Sequence, residues 1–416
     1  MKKILKIVLV SIITIILSAM TGLFLNTISF SINSDVYSQR EEKAIELLST
    51  EGKYPELFKW ATSNLDNVTD FVIITTSTYS GSETPIEKAL LDYRWNNTDP
   101  IDDIEIYYAN KDNSKYIVEY PRYWHGYLPI LRVLLLIFNY GTIRIINFIL
   151  QILLVILVMF LLFKRDKRLV IPFLLLYFIL MPIVLGKCLQ YSSCFYVIII
   201  SSIIVIKCKP KNLWYIFLLT GILTSYFDLL TYPLATLGIP LVLFISLNKC
   251  DTLKEYIKIL VIASLGWCIG YLGMWFCKWL LVTVFTETNL IADAINQIFY
   301  RMGSTKKGNQ NVDVVKMILF NVFSILKNPA SILGILSCVL LLVIKRKQIR
   351  LAEIVPFLLI SLLPFIWYLV VKNHSDLHTF MTHKILAISL FAMMCYCSML
   401  LPEGRKQVQP EEQLNK

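Results

Sequence analysis

Charged side chains are scarce in this sequence. Asp, Glu, Lys and Arg make up 17% of its 416 residues, whereas apolar residues make up 56%. A soluble domain averages about 25% charged and about 45–50% apolar residues. Several apolar runs are also long enough to cross roughly 30 Å of hydrocarbon. The composition therefore excludes a soluble, disordered, collagen-like or disulfide-stapled chain and indicates a polytopic membrane protein.

Several chemical signatures are missing as well. The sequence has no glycine-rich phosphate loop, no serine-centred elbow and no internal repeat of the kind found in many transporters. Its nine cysteines lie in or beside apolar runs, and none falls between residues 33 and 123. They lack the paired spacing of a zinc site. We interpret them as small apolar fillers.

Acidic residues are few outside one stretch. Between Asn33 and Tyr123 there are 17 acidic and 9 basic residues, although the whole chain has a net charge of +11. The basic residues elsewhere cluster at the ends of apolar runs, as in Lys164–Arg168, Lys207–Lys211 and Lys345–Arg350. This pattern predicts a multi-pass protein of the cell membrane with both termini in the cytoplasm. Such short, scattered clusters do not suggest nucleic-acid binding.

The predicted fold is an all-α polytopic membrane protein with about ten transmembrane helices. A small mixed α/β extracytoplasmic loop is expected after the first helix. The predicted domains are a first transmembrane helix (1–30), the extracytoplasmic loop (31–125), a multi-helix transmembrane domain (126–402) and a cytoplasmic tail (403–416). Residues 31–125 are called the acidic segment below.

Local patterns refine this prediction. The apolar run from Ile4 to Leu25 exceeds the about 7–15 residues of a signal-peptide core, so we expect it to be retained. The run Phe71–Thr76 in the acidic segment is typical of a strand. Two predicted spans, 235–247 and 332–344, are close to the lower length limit, and residues 315–323 are expected at the membrane interface.

All four histidines are predicted to lie on the extracytoplasmic side. His374 and His378 are four residues apart, so a helix would place them on one face. This spacing can bind zinc, but no Glu follows His374 as in zinc proteases. We interpret the loop as a polar site for a lipid headgroup, to which Lys384 adds a cation. A metal site and a hydrated loop without function are the alternatives.

A second cluster of aromatic and basic residues spans Tyr120–Tyr127. Its Tyr and Trp side chains are typical of an aromatic belt at headgroup depth. That belt does not account for Arg122 and His125. Arg132 and Arg144 follow in apolar sequence, where a cation costs about 2.5–3.5 kcal/mol at mid-helix. Each is predicted to have a carboxylate, a phosphate or a route to water.

Two acidic residues are candidates for chemistry. Asp35 lies about ten residues beyond the first span, where a carboxylate can act as a base toward an acceptor hydroxyl. The alternative is an N-cap for the helix expected from Ser38. Asp228 lies at an outer helix end within apolar sequence, and such an acid is a functional candidate.

The order of these features resembles the GT-C superfamily of membrane glycosyltransferases. One span, a large outer loop and the re-entry at Tyr120–Tyr127 are followed by Leu131–Asn147 and a basic turn. The superfamily includes protein mannosyltransferases and bacterial polysaccharide-modifying enzymes. Its first outer loop carries a catalytic Asp near the first span, and its donor is usually a polyprenyl-phosphate sugar. The resemblance implies that Asp35 is the catalytic residue.

The resemblance also implies a substrate-binding set for the donor phosphate and the acceptor: Arg122, His125, Asp228, His374, His378 and Lys384. The implied partners are membrane lipid, the polyprenyl-phosphate sugar and a glycan acceptor of the cell envelope. Some members use a divalent cation, so the cofactor stays open. Two other classes stay open too, namely a transporter or flippase for a lipid-linked saccharide and a non-catalytic assembly protein.

Overall fold

The computed structural model describes residues 2–96, 106–107, 116–208, 210–303 and 312–402, so the predicted tail at 403–416 lies outside the described residues. The helices are α1 (Lys2–Phe30), α2 (Ser38–Glu51), α3 (Asn67–Thr78), α4 (Pro85–Leu91), α5 (Leu128–Ile137), α6 (Tyr140–Asp166), α7 (Val170–Ile179), α8 (Pro182–Lys187), α9 (Leu189–Lys207), α10 (Leu213–Phe227), α11 (Leu234–Leu247), α12 (Leu253–Phe285), α13 (Leu290–Arg301), α14 (Val314–Leu326), α15 (Pro329–Ile344), α16 (Leu351–Ser361), α17 (Leu363–Val370), α18 (Lys372–Leu377), α19 (Thr379–Thr382) and α20 (Ala387–Met399). The strands are β1 (Arg94–Trp95) and β2 (Ile117–Val118), which pair antiparallel.

Within the described residues, six helical stretches are long and apolar enough to cross a membrane, or up to seven if the bent pair α14 and α15 forms one span. The six are Ile4–Phe30, Tyr140–Ile179, Leu189–Lys207, Leu253–Phe285, Leu351–Val370 and Thr379–Met399. These helices are the expected framework of an all-α, multi-pass membrane protein.

The prediction of ten spans was wrong because several apolar runs form short or broken helices. Helices α10 and α11 have 15 and 14 residues. At about 1.5 Å per residue, α11 reaches about 21 Å, less than the hydrocarbon thickness. Every side chain from Ala235 to Ser246 is buried. The apolar character of this run therefore reflects packing inside the protein rather than contact with lipid.

The acidic segment is helical, so the prediction of a mixed α/β loop was also wrong. The strand-like run Phe71–Thr76 lies within α3, and the strand pairing in the described residues is limited to two-residue β1 and β2 and an isolated bridge. Asp66 starts α3 by accepting a hydrogen bond from the amide of Thr69. All but one of the twelve residues of α3 are buried. Burial on every side overrides the strand preference of the β-branched residues.

The ends of the helices gather at two opposite faces of the protein. On one, which we call the acidic face, the acidic segment packs on the membrane helices. Arg144 near the start of α6 pairs with Glu51 at 2.7 Å, and Lys278 near the end of α12 pairs with Asp92 at 2.6 Å. On the opposite, basic face, Arg168 donates to the carbonyl of Met399 at 3.2 Å. The stretch Tyr140–Ile179 turns back at Lys167–Leu169, and this turn brings α7 to the acidic face.

Arg132 on α5 has no carboxylate among its described contacts but binds three backbone carbonyls. Its guanidinium donates to Ser29 at 2.9 Å, to Ile32 at 3.1 Å and to Ser77. These carbonyls lie at the ends of α1 and α3, where helix dipoles favour a cation. Arg144 does have a carboxylate, Glu51, as predicted.

Candidate functional site

Acidic, basic and histidine side chains inside the protein collect at the acidic face. Those buried in the described structure are Asp66, Asp70, Lys88, Asp92, His125, Arg132, Arg144, Asp228, Lys278, His374, His383 and Lys384. Each belongs to the acidic segment, to a loop on that face, or to the end of a helix that reaches it. Charge within a membrane protein is costly and marks functional positions, so the acidic face holds the candidate site.

Two carboxylates at the start of α3 are buried, Asp66 as its N-cap and Asp70 in its first turn. Asp66 accepts hydrogen bonds from the amide and hydroxyl of Thr69 at 2.9 and 2.8 Å. Asp70, one helical turn later, accepts from the Tyr140 hydroxyl. Burial raises the pKa of both acids. For Asp70, burial outweighs the opposing effects of Arg144 and Tyr140 and raises the pKa to about 7.

The turn Cys188–Tyr191, where α9 begins, connects these acids. The Leu189 amide donates to Asp70 at 3.1 Å, and the Gln190 side chain donates to Asp66 at 2.5 Å. The Asp66 amide contacts the Cys188 sulfur at 3.2 Å. The positive end of the α9 dipole and its free amides favour negative charge at this place.

Lys384 lies near the same turn. Its ammonium lies 5.0 Å from the centre of the Tyr191 ring, and the residue is 2% exposed. Among the described residues, it contacts no carboxylate and donates no hydrogen bond. A buried ammonium is costly unless an anion or an acceptor compensates it. The turn thus contacts two carboxylates and lies near a cation that has no described carboxylate or acceptor. We call Asp66, Asp70, Arg144, Cys188–Tyr191 and Lys384 the carboxylate cluster.

A chain of charges leads from this cluster to the surface. Arg144 lies 3.6 Å from Asp70 and 2.7 Å from Glu51, which in turn lies 3.7 Å from the Lys187 ammonium. Side-chain exposure rises along the chain, from 0% at Asp70 and 4% at Arg144 to 21% at Glu51 and 42% at Lys187. The buried acids are therefore close to a polar surface at the acidic face.

The predicted His374 site forms a second group. His374 Nδ1 lies 2.9 Å from Arg301, and its Nε2 lies 3.0 Å from the Leu230 carbonyl. Arg301 also donates to the Tyr123 hydroxyl at 2.8 Å. The centre of the His378 ring lies 4.7 Å from that of His374, with the two rings tilted by 50°. We call Tyr123, Leu230, Arg301, His374 and His378 the histidine cluster.

Both histidines of this cluster are neutral near pH 7. Burial, followed by the charge of Arg301, lowers the pKa of His374, and the same causes lower that of His378 to about 4. His374 uses both ring nitrogens in contacts within the protein. The geometry shows a group that connects the loops at Tyr123 and Leu230 with helices α13 and α18.

The other predicted substrate-binding residues lie near the histidine cluster and have protein partners. Arg122 pairs with Asp293 at 3.0 Å. Asp228 accepts from the amide and hydroxyl of Thr231 at 3.0 and 2.5 Å, and burial raises its pKa. The ring of His125 contacts the Tyr127 hydroxyl at 2.8 Å and the Tyr120 carbonyl at 3.1 Å. Burial lowers the pKa of His125 to about 3.

Asp35 lies outside both clusters. It is exposed on the short 3₁₀ helix Ser34–Tyr37, where Asn33 accepts a hydrogen bond from its amide at 3.1 Å. Tyr37, rather than Asp35, is the N-cap of α2. The structure therefore brings together the late histidines, Arg122 and Asp228 but does not join Asp35 to them. Its catalytic role stays a prediction.

Asp66 and Asp70 were not singled out as a pair from the sequence. Their spacing of four residues, directly before and within the apolar run Phe71–Thr76, is the signal that marks them once the run is recognised as a helix. Within the described residues, no three His, Cys, Asp or Glu side chains are grouped so that they can hold a metal ion. No family model matches the chain, and no curated protein or solved structure is significantly similar to it.

Proposed function

We propose that this chain is a membrane glycosyltransferase resembling the GT-C superfamily, with the carboxylate cluster as its reaction centre. It transfers a sugar from a polyprenyl-phosphate donor to an envelope glycan acceptor, and the acidic face lies outside the cell. The observation that supports this proposal most directly is the turn Cys188–Tyr191, which contacts Asp66, Asp70 and Lys384 together.

The chemistry of the proposed reaction needs a base and an anion site near each other. The acceptor hydroxyl loses its proton as its oxygen bonds to the anomeric carbon of the sugar. The bond from that carbon to the phosphate oxygen breaks, and the phosphate leaves with the electron pair. The base removes the proton, and fixed cations stabilise the developing negative charge.

Asp70 is the proposed base. A general base works best when its pKa is close to the working pH, and burial raises the pKa of Asp70 to about 7. Asp66 caps α3, the helix that carries Asp70, and it orders the turn Cys188–Tyr191 by accepting a hydrogen bond from Gln190. Asp35 is the alternative base implied by the resemblance, and it differs from Asp70 by its exposure on the surface.

Lys384 and the start of α9 are the proposed site for the departing phosphate. The uncompensated ammonium of Lys384 faces the turn whose dipole also favours an anion. Lys187, at the exposed end of the charge chain, offers a second cation at the surface. This arrangement favours a transferase over a flippase. In the middle of the bundle, the polar contacts in the described structure are those of neutral groups such as Ser201 with Thr220 and Thr224 with Thr236.

Glycan mass spectrometry on a deletion strain tests the proposal. The strain is complemented with the wild-type protein, with Asp70→Asn or with the matched exposed variant Asp35→Asn. We expect the deletion to remove a sugar from an envelope glycan and the wild-type gene to restore it. Asp70→Asn should reduce transfer by about 10²–10⁴-fold, the usual range for a general base.

Immunoblots of the membrane fraction show whether each variant accumulates. Normal transfer by Asp70→Asn together with loss in Asp35→Asn would return the catalytic role to Asp35. An unchanged glycan profile in the deletion strain would contradict the proposed function itself. Because Asp70 also contacts Tyr140 and Arg144, Lys384→Met provides a second test at a residue without these contacts.

A further inference from the structure

Helix α13 exposes an apolar stripe. Ile295, Ile298, Phe299 and Met302 follow one another at helical spacing, so they share one face. They are between 38% and 51% exposed, although all four are large apolar side chains. A stripe of this size on one face marks an interaction surface rather than scattered surface residues.

An adjacent face and the two ends of α13 are attached to the protein. Leu290 and Ala294 are buried beneath it. Its polar attachments are the Asp293–Arg122 ion pair at 3.0 Å, the bonds of Arg301 to Tyr123 and His374, and the bond from Asn373 to the Tyr300 carbonyl at 2.9 Å. These contacts fix the rotation of the helix about its axis. The apolar stripe therefore stays exposed beside the attached face.

The position of α13 along the membrane axis follows from its neighbours. It begins five residues after the span Leu253–Phe285 ends, and Asn373 and His374 of α18 contact its C-terminal end. Helix α18 itself follows the end of the span Leu351–Val370. The two spans end together at the acidic face. Helix α13 therefore lies at the level where these spans leave the hydrocarbon.

The exposed stripe continues an apolar surface that faces lipid. Val284 and Phe285, the last two residues of α12, are 62% and 69% exposed. Helix α14, which meets α15 at 92°, exposes Val315, Leu319 and Phe323 on the same side of the chain's membrane boundary. If α15 crosses the membrane, α14 runs along its surface. This continuity with the membrane-spanning surface identifies the occupant of the stripe as lipid.

We infer that α13 is an interfacial helix whose Ile295–Met302 stripe binds the lipid surface at the acidic face. Such helices bury their apolar side about 5–10 Å into the headgroup and acyl boundary. The two charged residues of α13, Asp293 and Arg301, are both engaged by protein partners. Burial of apolar surface, rather than attraction to anionic headgroups, therefore holds the helix to the bilayer. This inference does not depend on the proposed glycosyltransferase function.

Spin-label accessibility in phosphatidylcholine nanodiscs tests the inference. A nitroxide is attached to Ile298→Cys on the stripe or to the matched control Asn296→Cys, which is exposed beside it. In both proteins, the exposed and half-buried cysteines are first replaced by serine: Cys208, Cys250, Cys268 and Cys277. Relaxation by oxygen, which concentrates in hydrocarbon, is compared with relaxation by a water-soluble nickel chelate.

We expect oxygen to relax the label at Ile298→Cys more strongly than nickel does, and the reverse at Asn296→Cys. A label at Phe299→Cys should repeat the first result and covers the case in which Ile298→Cys fails to fold. Stronger relaxation by nickel at both stripe positions would overturn the inference, because the stripe would then face water. Shielding from both relaxants would also overturn it, because a protein partner would then cover the stripe.

Discussion

The carboxylate cluster and the histidine cluster both gather buried ionisable groups at the acidic face, but they differ in how their polar atoms are compensated. In the histidine cluster, Arg301 and His374 already bind Tyr123, Leu230 and each other. In the carboxylate cluster, Lys384 lacks a described carboxylate or hydrogen-bond acceptor, and the pKa of Asp70 is raised to about 7. Charge density alone does not distinguish a candidate site from a structural contact. The two clusters are distinguished by whether their charged groups already have partners within the protein.

The largest difference expected between the two clusters concerns their cations. Lys384→Met keeps most of the apolar stem of the side chain but removes the charge. If Lys384 stabilises the departing phosphate, turnover should fall by about 10²–10³-fold, as for other fixed donors in reaction centres. The measurement is sugar transfer in membranes with a defined polyprenyl-phosphate sugar. Arg301→Met is the matched change in the histidine cluster, and an equal loss there would remove the distinction.

The dependence of activity on pH sharpens the comparison. A carboxylate base must be ionised, so kcat should fall by about tenfold per pH unit below the pKa of Asp70, near 7. The groups that influence this pKa include Arg144, Tyr140 and Asp66. If His378 controlled turnover instead, the inflection would lie near its lowered pKa of about 4. A profile of kcat between pH 5 and pH 9 in nanodiscs distinguishes the two.

Stability should depend on pH in the opposite direction. The pKa of Asp70 rises from 3.8 to about 7 on folding, so the folded state favours the protonated acid. The contribution of this group to the free energy of unfolding is fully present below about pH 4 and decreases as the pH rises through 7. Thermal unfolding at pH 5 and pH 8 should show a smaller pH dependence in Asp70→Asn than in the wild type. An identical dependence in both proteins would argue against the raised pKa.

A smaller effect is expected when the histidine cluster loses its central ring. His374→Ala leaves Arg301 and the Leu230 carbonyl without that partner. Leaving buried polar groups unsatisfied costs about 1–3 kcal/mol, so unfolding in detergent should occur at lower denaturant concentration. Turnover should fall less than in Lys384→Met. A turnover loss that exceeds the loss in Lys384→Met, at unchanged stability, would move the reaction centre to the histidine cluster.

The smallest expected effect concerns the ion pair at the edge of the histidine cluster. Arg122 and Asp293 are 32% and 43% exposed, and exposed pairs contribute about 0.2–1 kcal/mol. Asp293→Asn should therefore change stability by no more than this amount and leave the rotation of α13 unchanged. Asn296→Asp serves as a control that adds charge without breaking a pair. A larger loss for Asp293→Asn would show that the pair is coupled to the cluster behind it.

Much of the architecture could be predicted from charge and hydropathy. The grouping of the acidic segment with the late histidine loop on one face follows from the alternation of basic and acidic ends along the chain. The contacts of Arg301 with both Tyr123 and His374 agree with it. The count of spans could not be obtained in the same way. A run such as Ala235–Leu247 is apolar because it is buried inside the bundle, and hydropathy alone does not separate protein from lipid.

The candidate site was harder to predict, for a related reason. In Phe71–Thr76, β-branched residues indicated a strand, whereas burial and the cap at Asp66 produce a helix. With the run assigned to a strand, Asp66 and Asp70 were not recognised as neighbours on a helix that faces α9. The partners of Lys384 are almost two hundred residues away in sequence, at Cys188–Tyr191, and no local pattern connects the two.

The binding of Arg132 to the ends of α1 and α3 has a consequence for biosynthesis. Its acceptor carbonyls belong to residues made earlier, and that of Ser77 exists in its final place only after α3 has folded. Until then, the guanidinium would enter an apolar environment without one of its acceptors, at a cost in free energy. The acidic segment must therefore fold before α5 can settle. Folding of this segment is thus the step that permits assembly of the helices that follow.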